Sequence, residues 1–247
     1  MATFWTKRNE DVEDEKTANP WAEVLVKGNV QYPHRRPLKV ALFDLDGTLV
    51  DTEGQYSVFW GSMGRKYRPD IPHLEQIIKG STLTRIYDTY FPDPTVQAAI
   101  TVGLDEWEAS MNYDFFPGAL DFIRDLKSHG VQCAVVTSSN ISKMRSVMRQ
   151  HPDFDALFDR VFTAEDFTAS KPAPDCYLMA ARAFGADLDE CVVFEDAPNG
   201  LQAGMSSGIF TIGLATYSTP DAIRTLCHYV LNDFVGMTYE KLVDIMK

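Results

Sequence analysis

The chain is short of positive charge. Across 247 residues, 23 lysines and arginines face 35 aspartates and glutamates, a formal charge of −12. Nucleic acid and anionic membrane surfaces both need a basic footprint, so this deficit argues against either as a partner. Cysteine is scarce too: Cys133, Cys176, Cys191 and Cys227 form no CxxC and no zinc-ligand spacing. Cys133 and Cys191 lie in apolar runs, where a thiol packs as a small hydrophobe, which fits a reducing cytoplasm. The opening MATFWTKRNEDVEDEK lacks the apolar stretch of a signal peptide. The one long uncharged segment, Ala197 to Pro220, carries Gly200, Gly204, Gly208, Gly213 and two prolines, which exclude a single lipid-spanning helix. Internal repeats and low-complexity tracts are also missing.

What is present suffices for a core. Hydrophobic residues make up 45% of the chain, and the length suits one large domain or a core with an insertion. Residues 1–37 read as an N-terminal extension, polar and disordered over its first half. Ordered structure is expected from Leu38 onward. LKVALFD (38–44), VQCAVVT (131–137), RVFT (160–163), ECVVFED (190–196), GIFTIGL (208–214) and HYVLND (228–233) have the continuous apolar character of buried parallel strands. Between them run helical patterns at 117–130, 140–151, 175–185 and 199–208. Strands alternating with helices predict an α/β, Rossmann-like, doubly wound parallel sheet. Residues 38–51 and 117–247 form this core, and the aromatic-rich, mainly helical 52–116 is an inserted cap. Ligands in such sheets bind at the carboxyl ends of strands, so chemistry is sought there.

Four groups of polar residues fall at those ends. Strand one runs into Asp44-Leu45-Asp46-Gly47-Thr48, where two carboxylates can face one cavity. Their repulsion favours one ionised and one protonated group, a nucleophile or metal ligand beside a general acid/base. Two exposed acids at a turn would also satisfy the pattern. Thr137-Ser138-Ser139-Asn140 follows the second strand; its hydroxyls and the next helix N-terminus form an anion site, or simply a cap. In Ser170-Lys171-Pro172-Ala173-Pro174, two prolines fix the backbone about a lysine suited to neutralise phosphate. Glu195-Asp196 ends another strand and adds hard oxygen ligands of the kind Mg²⁺ takes. Each group alone is weak. Four in this order are strong.

Together they resemble the motifs of the haloacid dehalogenase superfamily: VALFDLDGTLVDTE (40–53), VVTSSN (135–140), SKPAPDCY (170–177) and VVFEDAPNGLQAG (192–204). The placement of 52–116 is similar to the helical cap of the branch containing beta-phosphoglucomutase and many sugar-phosphate phosphatases. The resemblance implies that Asp44 attacks phosphorus and becomes an aspartyl-phosphate. Asp46 then protonates the leaving oxygen and later activates water. It further implies that Thr137 and Ser138 bind the phosphoryl group, that Lys171 links it to Asp44, and that Mg²⁺ is the cofactor. The implied metal ligands are Asp44, the Asp46 carbonyl and Asp196, with Glu195 as ligand or support.

In the cap, Lys79, Thr82 and Arg85 belong to a loop similar to the substrate loop of this branch, with Tyr56 at the hinge. The mutases carry an arginine three residues after the loop glycine and a histidine ten after the acid. Here Leu83 and Tyr56 stand at those places, which weakens a mutase reading. Trp60, Tyr87, Tyr90 and Trp107 are expected to pack as cap core. The leading expectation is a Mg²⁺-dependent phosphatase of a small phosphorylated metabolite, working in the cytoplasm as a monomer or weak homodimer. A hexose-phosphate mutase is the alternative, and the intact polar set argues against a catalytically silent binding protein.

Overall fold

The computed structural model describes residues 36–78, 81 and 83–247. The N-terminal extension up to residue 35, together with Lys79, Gly80 and Thr82, lies outside the described residues. Along the chain, β1 (Val40–Phe43) is followed by α1 (Glu53–Tyr67), α2 (Leu74–Ile77), α3 (Leu83–Tyr90) and α4 (Pro94–Ser110). Next come α5 (Ala119–Ser128), β2 (Gln132–Val136), α6 (Ile141–Gln150), α7 (Phe154–Leu157) and β3 (Arg160–Phe162). The remainder is α8 (Asp175–Ala183), β4 (Cys191–Glu195), α9 (Pro198–Ser207), β5 (Phe210–Leu214), α10 (Pro220–Ile223), β6 (Tyr229–Leu231) and α11 (Tyr239–Ile245).

The strands pair in the order β3-β2-β1-β4-β5-β6, every pair parallel. The chain leaves β1 toward β2 and β3, then returns to the other side of β1 as β4. The switch point is therefore the crevice between β1 and β4. Both faces are covered, which is why the strands read as unbroken apolar runs. Ala41, Phe43, Val135, Val192 and Phe194 pack with α5, α7 and α11 on one side. Val40, Leu42, Ala134, Val136 and Val193 meet the Cys176, Tyr177 and Ala180 face of α8 and Ala203 of α9 on the other. Phe43 and Phe194 stack at 4.6 Å and tie the two central strands together. All four thiols are free and buried, as expected of Cys133 and Cys191. None of the described helices is long and apolar enough to cross a membrane.

Helices α1 to α4 make a separate small core of Phe59, Trp60, Leu74, Ile78, Ile86, Phe91, Ile100 and Leu104. Tyr87, Tyr90 and Trp107 pack on its margin, as expected of cap core. Two linkers join this cap to the sheet, and Gln55 clamps them. Its side-chain amide donates to the carbonyls of Asp51 (3.3 Å) and Asn112 (2.7 Å) and accepts from the Asn112 N–H (2.9 Å). Tyr217 in the core reaches the first linker too, donating to the Asp51 carboxylate and accepting from the Glu53 N–H.

Candidate active site

At the switch point the first acid leaves the sheet while still bound to it: the Asp44 N–H donates to the Phe194 carbonyl at 3.0 Å. Lys171 Nζ donates to Asp44 Oδ1 at 2.6 Å, Glu195 Oε1 at 2.6 Å and the Val136 carbonyl at 3.0 Å. All three ammonium protons are thereby used. Asp44, Lys171 and Glu195 are each buried. Burial alone would depress Lys171, but Asp44 and Glu195 outweigh it and hold the ammonium well above its ordinary range. Asp44 goes the other way. Burial, then the charge of Glu195, pushes its carboxyl up to about 7 against the pull of Lys171.

Glu195 is fixed on every side. Oε1 also accepts from the Tyr177 hydroxyl at 3.1 Å, while Oε2 accepts from the N–H groups of Asp196 (3.0 Å) and Ala197 (3.2 Å). Gly200 makes room for it, since a Cβ there would lie 1.7 Å from Oε1. Asp196 is seated similarly. Thr48 Oγ1 donates to its Oδ1 at 3.0 Å, and Gly47, at φ +84°, passes where a Cβ would be 2.2 Å from its Oδ2. Burial, then Glu195 and Asp44, raises the Asp196 carboxyl well above its ordinary range.

Oxygens of Asp44, Glu195 and Asp196 lie within 4.8 Å of one another. Two buried carboxylates and the half-buried Asp196 share one ammonium there, an unbalanced charge that suits a divalent cation bound by hard oxygens. The donor set fits Mg²⁺. With both Glu195 oxygens already accepting, Asp44 and Asp196 are the carboxylates with an oxygen left to give.

Asp46 has a different environment. Thr52 Oγ1 donates to its Oδ1 at 2.6 Å, Lys143 Nζ to the same oxygen at 2.5 Å, and Ser139 Oγ to Oδ2 at 2.8 Å. Burial works to raise this carboxyl, but Lys143, Thr52 and Ser139 outweigh it and hold it below the ordinary range. Two acids two residues apart are thus driven to opposite sides of their usual value, Asp44 up and Asp46 down. Lys143 itself is only 2% exposed. Its backbone N–H is held at 2.8 Å by the Asn140 side chain, the cap of α6, and its ammonium lies 4.6 Å from the centre of the Tyr56 ring. Tyr56 in turn donates to Glu108 Oε1 at 2.7 Å, linking α1 to α4.

A cavity of about 480 Å³ opens over these groups. Asp44, Asp46, Thr137, Ser138, Lys171, Glu195 and Asp196 all line it. Of the cap residues singled out by sequence, Tyr56 lines the cavity, whereas Arg85 is exposed on α3 and does not. The inward residues of that helix are Leu83, Thr84 and Ile86. Lys79 and Thr82 lie outside the described residues. Sequence reading missed Lys143, Ser139 and Thr52 as partners of Asp46, and Tyr177 and Glu108 altogether.

The model of one family, the haloacid dehalogenase-like hydrolases, matches residues 41–214. The chain belongs to that family. This haloacid dehalogenase-like hydrolase is 28% identical over 196 residues to validoxylamine A 7′-phosphate phosphatase of Streptomyces hygroscopicus subsp. limoneus, covering 75% of this chain and 89% of the relative. It is 30% identical over 194 residues to hexitol phosphatase A of Escherichia coli K12, covering 72% and 84%. Its fold is that of the crystal structure of beta-phosphoglucomutase from Clostridium difficile, with a TM-score of 0.71 at 19% identity over 85% of this chain and 97% of the other. The helical cap over a Rossmann-like core is thus a fold this hydrolase shares with that solved structure.

Proposed function

We propose that the chain is a Mg²⁺-dependent phosphatase of a small phosphorylated metabolite, with a sugar phosphate as the substrate class. The observation that carries this reading is geometric: Asp44 bonded to a buried ammonium, and Asp46 two residues on in the same cavity, held by Lys143, Thr52 and Ser139. Asp44 attacks phosphorus as the P–O bond to the leaving oxygen breaks, and Asp46 gives that oxygen a proton. Asp46 then takes a proton from the water that attacks the aspartyl-phosphate, and the Asp44 carboxylate is released with inorganic phosphate. Lys171 keeps Asp44 oriented, and Thr137 with the Ser138 backbone receives the phosphoryl oxygens. Asp44, Asp196 and the Asp46 carbonyl would hold Mg²⁺, with Glu195 supporting Lys171 from behind. When bound, the cation offsets the charge of carboxylates and phosphate in a water-poor site. The names of the two relatives, a validoxylamine A 7′-phosphate phosphatase and a hexitol phosphatase, support the substrate class.

A phosphatase is preferred to a mutase because the described cap wall of the cavity offers Glu53, Glu75 and Glu108, and Arg85 is not among its lining residues. That lining suits a neutral polyol better than a second phosphate. The test is a phosphate-release screen over hexitol, fructose and pentose monophosphates. Asp44→Asn lowers turnover about 10⁴-fold or more, and EDTA silences the wild-type protein until Mg²⁺ is restored. Conversion of beta-glucose 1-phosphate to glucose 6-phosphate without free phosphate would overturn the reading in favour of a mutase.

A further inference from the structure

The aspartyl-phosphate reading leaves Lys143 without a task, and the geometry points to one: we propose that Lys143 is a positioning residue that fixes which oxygen of Asp46 carries the proton in transfer. This inference rests on the phosphatase reading given above. Each carboxylate oxygen has two lone pairs. Oδ1 of Asp46 accepts from Thr52 at 2.6 Å and from Lys143 at 2.5 Å, so both of its lone pairs are committed. Among the described residues, Oδ2 accepts from Ser139 alone, at 2.8 Å. Oδ2 is therefore the oxygen with a free site for a proton. It is the one that protonates the leaving oxygen and later accepts the proton of the attacking water.

Without the lysine, Thr52 and Ser139 each donate to one oxygen, and either oxygen keeps a lone pair open to the proton. The ammonium removes that choice, because it is itself held. Lys143 is buried, its main chain is tied by the Asn140 cap, and its charge lies on the Tyr56 ring. Tyr56 is anchored to Glu108 of α4, so the lysine also joins the core acid to the cap. A lysine on the third residue of a helix sits against the positive end of the macrodipole. Placing one there, buried, is a local cost that the ion pair with Asp46 offsets.

Para-nitrophenyl phosphate separates the two halves of the reaction, since its leaving group departs without a proton. Wild-type protein, Lys143→Met, Asp46→Asn and the double variant are compared in rapid mixing with this substrate and Mg²⁺, and with fructose 1-phosphate. Lys143→Met is expected to release one equivalent of p-nitrophenolate at the wild-type rate and then turn over at least tenfold more slowly. On fructose 1-phosphate its kcat falls at least tenfold with KM changed less than threefold. Adding Lys143→Met to Asp46→Asn costs less than twofold further. Lys143→Gln gives the same reading where the Met variant is unfolded at the assay temperature by circular dichroism. Steady-state rates within twofold of wild type overturn the proposal, as does a tenfold further loss in the Asp46→Asn background. Either result would leave the phosphatase reading intact. Wild-type phosphate release that survives Asp44→Asn would remove that reading instead.

Discussion

At the scale of the residue, the site is governed by how little room its carboxylates have. Gly200 lies within α9, where alanine normally stabilises a helix by about 1 kcal/mol over glycine. At this position the sign is expected to reverse. The added Cβ would meet Glu195 at 1.7 Å, and the carboxylate cannot retreat because Lys171, Tyr177 and two backbone N–H groups hold it. Gly200→Ala is predicted to cost about 1–3 kcal/mol, the usual penalty of overpacking. Gly54 in α1 provides the contrast, since a Cβ added there would meet nothing within 4 Å. Gly54→Ala should be neutral or stabilise by up to about 1 kcal/mol. Thermal unfolding of the two variants checks both signs. A higher midpoint for Gly200→Ala would mean that Glu195 moves freely, against the tight packing seen around it.

At the scale of the element, the two linkers between core and cap are tied by one side chain. Gln55 makes three hydrogen bonds that together join Asp51 to Asn112. Gln55→Ala removes them at an exposed site, for a loss of about 1 kcal/mol in stability. Its larger effect falls on the cap: amide exchange in α1 should quicken, while exchange in β1 and β4 stays as in wild type. Equal exchange in α1 of wild type and variant would show that the Tyr217 contacts and the backbone bond from the Asp51 N–H to the Asp114 carbonyl suffice to hold the hinge.

The elements themselves were readable because burial on both faces makes the central strands β1, β2, β4 and β5 nearly continuous apolar runs, and the motifs fall where such runs stop. VALF and CVVFE are wholly buried, and Asp44 and Asp196 are the residues that follow them. Lys143 was not readable in this way. It lies beyond the strand-end motif, in the first turn of α6, and only the fold shows that this turn faces Asp46. A signal was nonetheless there: Lys143 shares its helix face with Met144 and Val147, and a cation on an apolar face near a helix N-terminus breaks two local rules at once. Glu108 is similar, an acid four residues after Leu104 on the buried side of α4. Arg85 is not among the residues that line the cavity. Its neighbour Ile86 takes the inward position, and one step along a helix turns the side chain by about 100°.

At the scale of the whole molecule, the acid excess is concentrated where it matters most for stability. Asp44 is raised from the ordinary 3.8 to about 7, and Asp196 well above 3.8, chiefly by burial and by the charges facing them. Between these pH values the folded metal-free protein therefore binds protons that the unfolded chain has already released. This contribution is fully present below pH 3.8 and is lost as pH rises through about 7. A divalent cation binds the ionised carboxylates, so it competes with those same protons. Each proton displaced weakens metal binding about tenfold per pH unit below 7, worth about 1.4 kcal/mol. The rise in unfolding temperature on adding a fixed concentration of Mg²⁺ should accordingly be greater at pH 8 than at pH 6. The comparison is made against EDTA at each pH, which cancels groups remote from the site. Asp196→Asn should shrink the gain at both pH values. An equal gain at pH 6 and pH 8 in the wild type would mean that Asp44 and Asp196 are already ionised without the cation. In that case Lys171 alone would be balancing the charge, and burial would be the weaker influence on the site.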